Sequence, residues 1–439
     1  MKKIIIAFTI IIILMIGISF SIENNEIKKV LTGQVIYINN NQITIQDDNN
    51  IIYTFNGNNL ITNIGDNITI EYDKELNKNT EFQEIDILNY KINNNDNILN
   101  DNGIFSDYYN KAYNKLQEMT IDEKIGQLLL VRVPKTKAKE ILQKHQFGGY
   151  LFFERDFKNK TKSEVQKMIN DFQEISSIPL ITAIDEEGGK VSRISSNKNL
   201  LETPFKSSQE LYKEGGFELI KEDTINKSNI LKELGLNVNL APVVDISTNE
   251  NDYIYERSLG ENYLLTSEYA KTVITASKNT GVSYTLKHFP GYGNNDDSHT
   301  DVTVDNRDLN ELITKDLLPF QEGINCGAEL VLISHNIVTS LDKVNPASLS
   351  PSIHNLLRNE LGFTGIIITD DIYMGAISNI ENSTLKALIS GNDLIITTDY
   401  EKSINEIKTA LENNIIDENL INKKVLRLLA FKYYNNIIK

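Results

Sequence analysis

The chain has 439 residues, of which 44 are Lys or Arg and 60 are Asp or Glu, and its formal net charge is −16 at pH 7. Nucleic acid and anionic membrane surfaces repel such a polyanion, which argues against both as main partners. Hydrophobic residues make up 40% of the chain and charged residues 24%, which is typical of a globular protein with a sizeable core. The single cysteine, Cys326, excludes an internal disulfide and any metal site built from several cysteines.

The first 22 residues have the pattern of a targeting segment. Lys2 and Lys3 precede an apolar run that begins at Ile4, and the small residues Ser19 and Ser21 precede a possible cleavage site. The pattern predicts a signal peptide, and hence an exported protein that is extracellular or associated with the cell wall. The alternative is an uncleaved membrane anchor, because the apolar run is nearly long enough to span a bilayer.

Residues 28–92 alternate between apolar and polar side chains, and clusters of Asn, Asp and Gly interrupt the alternation. This period of two predicts short antiparallel strands joined by hairpins, and therefore a small all-β barrel or sandwich. No motif indicates its role, and a sugar-binding module or a spacer would fit equally well. Residues 93–105 are polar and without periodicity, which predicts a linker.

From residue 106 onward, eight short apolar runs alternate with amphipathic stretches of helical period. The runs cover residues 126–131, 148–153, 179–184, 236–244, 283–287, 329–333, 365–369 and 393–397. Apolar runs that are each followed by a helix are typical of strands buried on both faces of a parallel sheet. The predicted fold class is therefore α/β, with a (β/α)8 TIM barrel over residues 106–439 and an open doubly wound sheet as the weaker alternative.

We select candidate functional residues at the ends of five of the eight runs. They are Asp185, Asp245, Lys287 with His288, His335 and Asp370. Because chemistry in such barrels takes place at the C-terminal ends of the strands, we expect these side chains to converge. His145 and His354 lie on helical or loop stretches and are assigned no role.

Three segments at these ends have a composition that favours a functional site. In residues 185–193, Asp185 is followed by two glycines that would let the backbone approach a ligand, and Arg193 returns toward the same end of the barrel. In residues 287–301, a long polar loop after the fifth run contains Asp297 and His299. In residues 365–375, Asp370 ends an apolar strand, and the next residue is a candidate helix cap.

These segments, together with residues 119–131, LAPVVD (240–245) and ERSLG (256–260), occur in the order seen in glycoside hydrolase family 3. Over roughly residues 106–438 the chain resembles the bacterial β-N-acetylhexosaminidases of that family. The triplet Asp297-Ser298-His299 resembles the feature that separates this branch from the β-glucosidases. Tyr292, Lys190 and Leu259 stand where the branch commonly has His, Arg and Phe.

The resemblance implies a role for each matching residue. Asp370 is implied to be the nucleophile of a retaining glycosidase, and His299, paired with Asp297, to be the general acid and base. The positions that hold the sugar hydroxyls and the N-acetyl group are implied to be Asp185, Arg193, Arg257, Lys287 and His288. The implied substrate is a carbohydrate with terminal β-linked N-acetylglucosamine, from peptidoglycan fragments or chitin oligomers. No cofactor is implied, and nothing in the pattern predicts an oligomeric state.

Other functions fit the same sequence less well. A metal-dependent barrel hydrolase would use the histidines as ligands, but neither an H-x-H nor an H-E-x-x-H pattern is present, so we predict no metal site. A non-catalytic cell-wall-binding protein would have no reason to keep every catalytic position filled. A β-glucosidase, or a phosphorylase that uses phosphate in place of water, remains an alternative within the same family. Since the chain has no Trp, any stacking on a sugar ring must use a residue such as Tyr292 or Tyr373.

Overall fold

The computed structural model describes residues 29–39, 42–47, 51–56, 67–76, 82–93, 99, 101, 103–293, 303–375, 377 and 379–439. The targeting segment predicted in residues 1–22 lies outside these residues. In the described part of the chain, no helix combines the length and the apolar character needed to cross a membrane.

Six strands near the N-terminus form one sheet. They are β1 (Lys29–Asn39), β2 (Gln42–Asp47), β3 (Ile52–Asn56), β4 (Asn67–Tyr72), β5 (Phe82–Asp86) and β6 (Asn89–Asn93). The order is β5-β3-β2-β1-β4-β6, and neighbours are antiparallel except β3 and β5. Alternate residues of β4 are buried, so Ile68 and Ile70 enter a small core with Phe55. The predicted boundaries of a separate β-domain at residues 28–92 and of a linker at residues 93–105 stay predictions.

The N-terminal sheet contacts the larger domain through β3 and the helix Pro351–Asn355. The backbone N–H of Ile52 donates to Asn355 Oδ1 at 2.6 Å, and Asn355 Nδ2 donates to the Ile52 carbonyl. Ile36 and Ile52 are buried in the main hydrophobic core and not in that of the small sheet. One side-chain amide therefore satisfies a strand backbone that would otherwise be buried without partners.

Eight further strands form a parallel barrel. They are β7 (Leu129–Arg132), β8 (Gly149–Phe152), β9 (Ile181–Ile184), β10 (Val238–Asn239), β11 (Ser283–Phe289), β13 (Leu330–Ile333), β15 (Ile366–Thr369) and β16 (Ile395–Thr397). Two short strands, β12 (Val304–Asp305) and β14 (Ile337–Val338), pair with each other outside the barrel. Adjacent barrel strands follow chain order, and β16 pairs with β7. A parallel bridge between Ile368 and Leu394 joins β15 to β16 and brings the ring to near closure. The predicted (β/α)8 barrel is confirmed, and the open doubly wound alternative is wrong.

Helices cover the outside of the barrel. They are α1 (Tyr109–Gln117), α2 (Ile121–Gln127), α3 (Ala138–His145), α4 (Glu154–Phe157), α5 (Lys162–Ile175), α6 (Ser208–Leu234), α7 (Tyr263–Ser277), α8 (Leu309–Glu311), α9 (Leu317–Asn325), α10 (Pro351–Asn355), α11 (Ser383–Ser390), α12 (Tyr400–Glu412) and α13 (Glu418–Tyr434). Short 3-10 turns at Ser106–Tyr108, Tyr255–Arg257 and Ala347–Leu349 and π-helical turns at Leu312–Asp316 and Leu356–Glu360 complete the helical structure.

Two predicted strands have different boundaries in the structure. Thr120 and Glu123 form a reciprocal capping box at the start of α2, and the helix continues to Gln127, so the first strand begins at Leu129 and not at residue 126. The fourth run, residues 236–244, contains only the two-residue strand β10. Pro242 offers no N–H for a ladder hydrogen bond, but the chain stays beside β11, where Val243 forms a parallel bridge with Lys287 and the Val244 N–H donates to the Lys287 carbonyl at 2.8 Å.

A buried ionic cluster fastens the C-terminal helix α13 to the barrel. Asp393, which has no exposed surface, pairs with Arg358 and Arg427, each at 2.6 Å. Arg427 also pairs at 3.2 Å with Asp101, a residue of the predicted linker. The last helix and the segment that precedes the barrel are therefore held by one set of charges.

Candidate active site

A cavity of about 290 Å³ opens at the C-terminal ends of the barrel strands. Six of the residues selected from the sequence line it, namely Asp185, Arg193, Arg257, Lys287, His288 and Asp370. They come from the ends of β9, β11 and β15 and from the loops after β9 and β10. The predicted convergence is thus present for Asp185, Lys287, His288 and Asp370, whereas Asp245 and His335 do not line the cavity.

Three consecutive acidic residues after β9 have three different environments. Asp185 lines the cavity, accepting from Lys287 Nζ at 2.9 Å and pairing with Arg193 at 3.3 Å. Glu186 is fully buried and accepts from the backbone N–H groups of Arg193 and Ile194 at 2.8 and 2.9 Å. The Glu186 carboxylate therefore holds the returning loop, which aims Arg193 at the cavity.

Glu187 is the counter-ion of two cations that line the cavity. Its carboxylate receives two hydrogen bonds from Arg257, at 2.8 and 3.0 Å, and pairs with Lys287 Nζ at 2.6 Å. Burial by itself would raise the pKa of Glu187, but Arg257 and Lys287 outweigh burial and hold the pKa below its ordinary value. The geometry therefore keeps one anion and two cations charged at the same place.

His288 is fixed in one tautomer by its neighbours. Its Nδ1 lies 2.6 Å from Asp245 Oδ2, and its Nε2 lies 3.3 Å from Arg257 Nη2. Because a carboxylate only accepts and a guanidinium only donates, Nδ1 must carry the proton and Nε2 must accept in the neutral ring. Asp245 is buried and also accepts from the backbone N–H of Tyr292 at 2.7 Å.

Asp370 follows β15 and lines the cavity beside Asp371. The Asp371 carboxylate accepts from Thr398 and from the backbone N–H of Tyr373, and burial raises the pKa of Asp371. Asp371 does not cap a helix as the sequence suggested, since α11 begins only at Ser383. His335 Nε2 donates to the Asp371 carbonyl at 3.0 Å and so supports this turn from outside the cavity.

The aromatic residues of the cavity are Phe153 and Tyr253, and neither Tyr292 nor Tyr373 lines it. Tyr292 is only 2% exposed and lies behind Tyr253, with a distance of 5.7 Å between ring centroids. The glycines after Asp185 also have a different role from the one expected. Gly188, at φ +96°, packs against the carbonyl of Lys206, where a Cβ would collide, and does not border the cavity.

Asp297 and His299, the acid/base pair implied by the resemblance, lie outside the described residues. The described chain ends before them at Gly293, four residues after the end of β11, and resumes at Thr303. In the described residues, no group of three or more His, Cys, Asp or Glu is arranged to hold a metal ion.

Two further residues of the site, Arg132 in the cavity wall and Glu187 behind it, were not predicted from the sequence. Arg132 ends the first barrel strand and directly follows the predicted run 126–131, so the rule used for the other strand ends would have selected it. Glu187 follows two other acids, and only the fold brings it to the cations of β11 and the loop after β10.

The fold and the site define a TIM-barrel enzyme with its chemistry at the C-terminal face. The family model described as "Glycosyl hydrolase family 3 N terminal domain" matches residues 120–431. The chain therefore belongs to glycosyl hydrolase family 3, as its motifs predicted, and this places it among the glycosidases.

Relatives of the chain carry related descriptions. It is 31% identical over 262 residues to the beta-hexosaminidase of Xylella fastidiosa (strain M23), covering 58% of this chain and 77% of that protein. A glycoside hydrolase family 3 beta-N-acetylglucosaminidase from Paenibacillus sp. str. FPU-7 superimposes with a TM-score of 0.68 at 29% identity, over 73% of this chain. The match spans 63% of the Paenibacillus chain, less than two thirds of its length. A family member from Mycobacterium smegmatis str. MC2 155 superimposes with a TM-score of 0.65 at 29% identity, over 72% of this chain and 98% of that one.

Proposed function

We propose that the protein is a retaining β-N-acetylhexosaminidase that removes terminal β-linked N-acetylglucosamine from a glycan. The observation that carries the proposal is the lining of one cavity by Asp370 together with all five predicted sugar-binding residues. A volume of about 290 Å³ is at the lower end for small-molecule sites and suits a single sugar unit. The names of the relatives, beta-hexosaminidase and beta-N-acetylglucosaminidase, support the choice of sugar.

In the proposed reaction, Asp370 attacks the anomeric carbon while His299 gives a proton to the departing glycosidic oxygen. The C–O bond to the leaving group breaks as the bond from the Asp370 carboxylate forms. In the second step a water molecule attacks the same carbon, His299 takes its proton, and Asp370 leaves as a carboxylate. Asp297 would orient the His299 ring and stabilise its protonated form.

The described geometry supports sugar binding by the remaining residues. Asp185 is an acceptor at the cavity wall, and Lys287, only 2% exposed, holds it rigidly. Arg257 and His288 Nε2 are linked to each other, so their polar atoms keep fixed positions. Preorganised donors and acceptors of this kind bind hydroxyl and amide groups without the cost of ordering them.

The first test is the replacement Asp370→Asn, assayed with an aryl β-N-acetylglucosaminide. The variant should lose essentially all turnover while it retains binding of N-acetylglucosamine, measured by calorimetry. Asp371→Asn is the matched control, because this neighbouring carboxylate already accepts a hydrogen bond from Thr398. The substitution should lower kcat by less than about tenfold. Substantial activity in the Asp370 variant would refute its assignment as the nucleophile.

We also propose that the enzyme acts outside the cytoplasm on peptidoglycan fragments or chitin-type oligomers. The pattern of residues 1–22 supports export, either by cleavage or with the segment kept as an anchor. Fractionation of expressing cells, followed by N-terminal sequencing of the exported form, tests location and cleavage together. Product analysis with and without phosphate distinguishes a free sugar from a sugar phosphate, and hence hydrolysis from phosphorolysis.

A further inference from the structure

We propose that Arg132 is a specificity-determining residue that binds a carboxylate carried by the glycan. The inference rests on the proposed function and deepens it. It favours an acid-bearing substrate, in which N-acetylglucosamine is β-1,4-linked to N-acetylmuramic acid, over the neutral chitin-type oligomer.

Arg132 is the last residue of β7, and its side chain lines the cavity that also contains Asp370. The other basic groups of the cavity wall have acidic partners: Arg193 pairs with Asp185, and both Arg257 and Lys287 pair with Glu187. Within the described residues, Arg132 forms no ion pair, and its buried Nε atom has no hydrogen-bond partner. Arg132 therefore lines the space that the substrate would occupy without an acidic partner among the described residues.

The surroundings of Arg132 favour an anion. Its guanidinium carbon lies 4.0 Å from the centre of the Phe153 ring, and that of Arg193 lies 5.0 Å from the same ring. Burial lowers the pKa of Arg132, and the charges of Arg155 and Arg193 lower it further, while Asp371 and Asp156 oppose them. The Arg132 cation has thus lost water and stands among like charges, and a ligand anion would compensate for both.

A guanidinium binds a carboxylate well, because two parallel N–H donors match its two oxygens. A neutral hydroxyl offers no charge and only a single oxygen. Of the two proposed substrate classes, only the peptidoglycan fragment carries such a group, the lactyl carboxylate of N-acetylmuramic acid. Stacking on Phe153 would hold the guanidinium plane ready for it.

The test compares two disaccharides with the same β-1,4 linkage and the same terminal sugar, N-acetylglucosaminyl-N-acetylmuramic acid and chitobiose. Arg132→Ala in the full chain should lower the ratio of kcat/KM for the acidic over the neutral substrate by about tenfold or more, the value of a charge-assisted hydrogen bond. Any general effect on the site divides out of this ratio. Arg132→Lys should restore part of the ratio because it keeps the charge without the fork.

Two controls isolate the carboxylate. Lys190→Ala removes a nearby positive charge that is largely exposed and does not line the cavity, and the ratio should not change. Converting the lactyl carboxylate to its methyl ester should remove the preference in the wild type and leave Arg132→Ala unaffected. An unchanged ratio in Arg132→Ala would overturn the inference while the proposed function stands.

Two other results are also decisive. Stimulation of chitobiose cleavage by phosphate that disappears in Arg132→Ala would mean that the anion is free phosphate, which overturns the inference. If the wild type cleaves neither disaccharide, the proposed function fails. Calorimetry then decides the inference separately, since the acidic disaccharide should still bind more tightly than chitobiose and lose that advantage in Arg132→Ala.

Discussion

Glu187 Oε1 lies 2.6 Å from Lys287 Nζ, and neither side chain is more than 6% exposed. The same carboxylate holds Arg257 through two hydrogen bonds. Without this anion, Arg257 would lose its counter-ion, Lys287 would keep only Asp185, and the two buried cations would repel each other. The Glu187 carboxylate, which does not line the cavity itself, therefore sets the positions of two residues that do.

Glu187→Gln should destabilise the protein and impair the site together. Removing one partner of a buried ion pair costs about 3 to 5 kcal/mol, and here the two cations left behind also repel each other. Urea denaturation should show this loss, and kcat/KM for an aryl N-acetylglucosaminide should fall. The control is Glu256→Gln, which breaks an exposed pair with Lys190 and should cost less than about 1 kcal/mol. Equal losses in both variants would contradict the role of Glu187.

The contribution of Glu187 should disappear in acid. Its pKa in the folded protein is below the ordinary value of 4.5, because Arg257 and Lys287 outweigh the effect of burial. The folded state therefore binds fewer protons than the unfolded state near pH 4, and the stabilisation is present above that pH and lost below it. The difference in unfolding free energy between wild type and Glu187→Gln should be constant from pH 8 to about pH 5.5 and should shrink below about pH 4.5. A difference in unfolding free energy that grew on acidification would contradict a lowered pKa of Glu187 in the folded protein.

Asp245→Asn should impair the site by releasing His288. The buried Asp245 carboxylate accepts from His288 Nδ1 and from the backbone N–H of Tyr292, and an amide has one oxygen for both while its NH2 group faces other donors. We expect kcat/KM to fall about tenfold or more, with a loss of about 1 to 3 kcal/mol in unfolding free energy. The downfield NMR signal of the His288 Nδ1 proton should vanish in the variant. Its persistence would show that Asp245 does not fix the tautomer.

The sequence predicted the barrel because its strands are buried on both faces, which leaves continuous apolar runs such as residues 365–369. It predicted the cavity residues where a polar side chain directly follows such a run, as Asp370 does. It did not predict Glu187 or Arg132. The partners of Glu187 lie 70 and 100 residues further along the chain, so only the fold shows the pairing. Arg132 directly follows the predicted run 126–131, but only the fold shows that its side chain lines the same cavity as Asp370.

The ionic cluster of Asp393 could not be predicted from the sequence either, because its partners Arg358 and Arg427 come from separate helical segments. Asp393 Oδ2 also accepts from the backbone N–H of Ile367 at 2.9 Å, so its carboxylate links β15 to the outer helices. Burial would raise the pKa of Asp393, but the two arginines outweigh it and lower the pKa to about 2. The carboxylate is therefore charged at every pH at which the protein would be assayed.

Asp393→Asn should lower the unfolding free energy by about 3 kcal/mol or more, because it leaves the buried Arg358 without its ion-pair partner and Arg427 with Asp101 alone. Asp122→Asn is the matched control, since its pair with Lys408 is exposed and should contribute less than about 1 kcal/mol. Because the pKa of Asp393 is lowered in the folded protein, the advantage of the wild type should hold above pH 4 and fall between pH 4 and about pH 2. Urea denaturation at pH 7 and pH 3 measures both effects. A variant as stable as the wild type at pH 7 would mean that the attraction between these charges only offsets the free-energy cost of burying them.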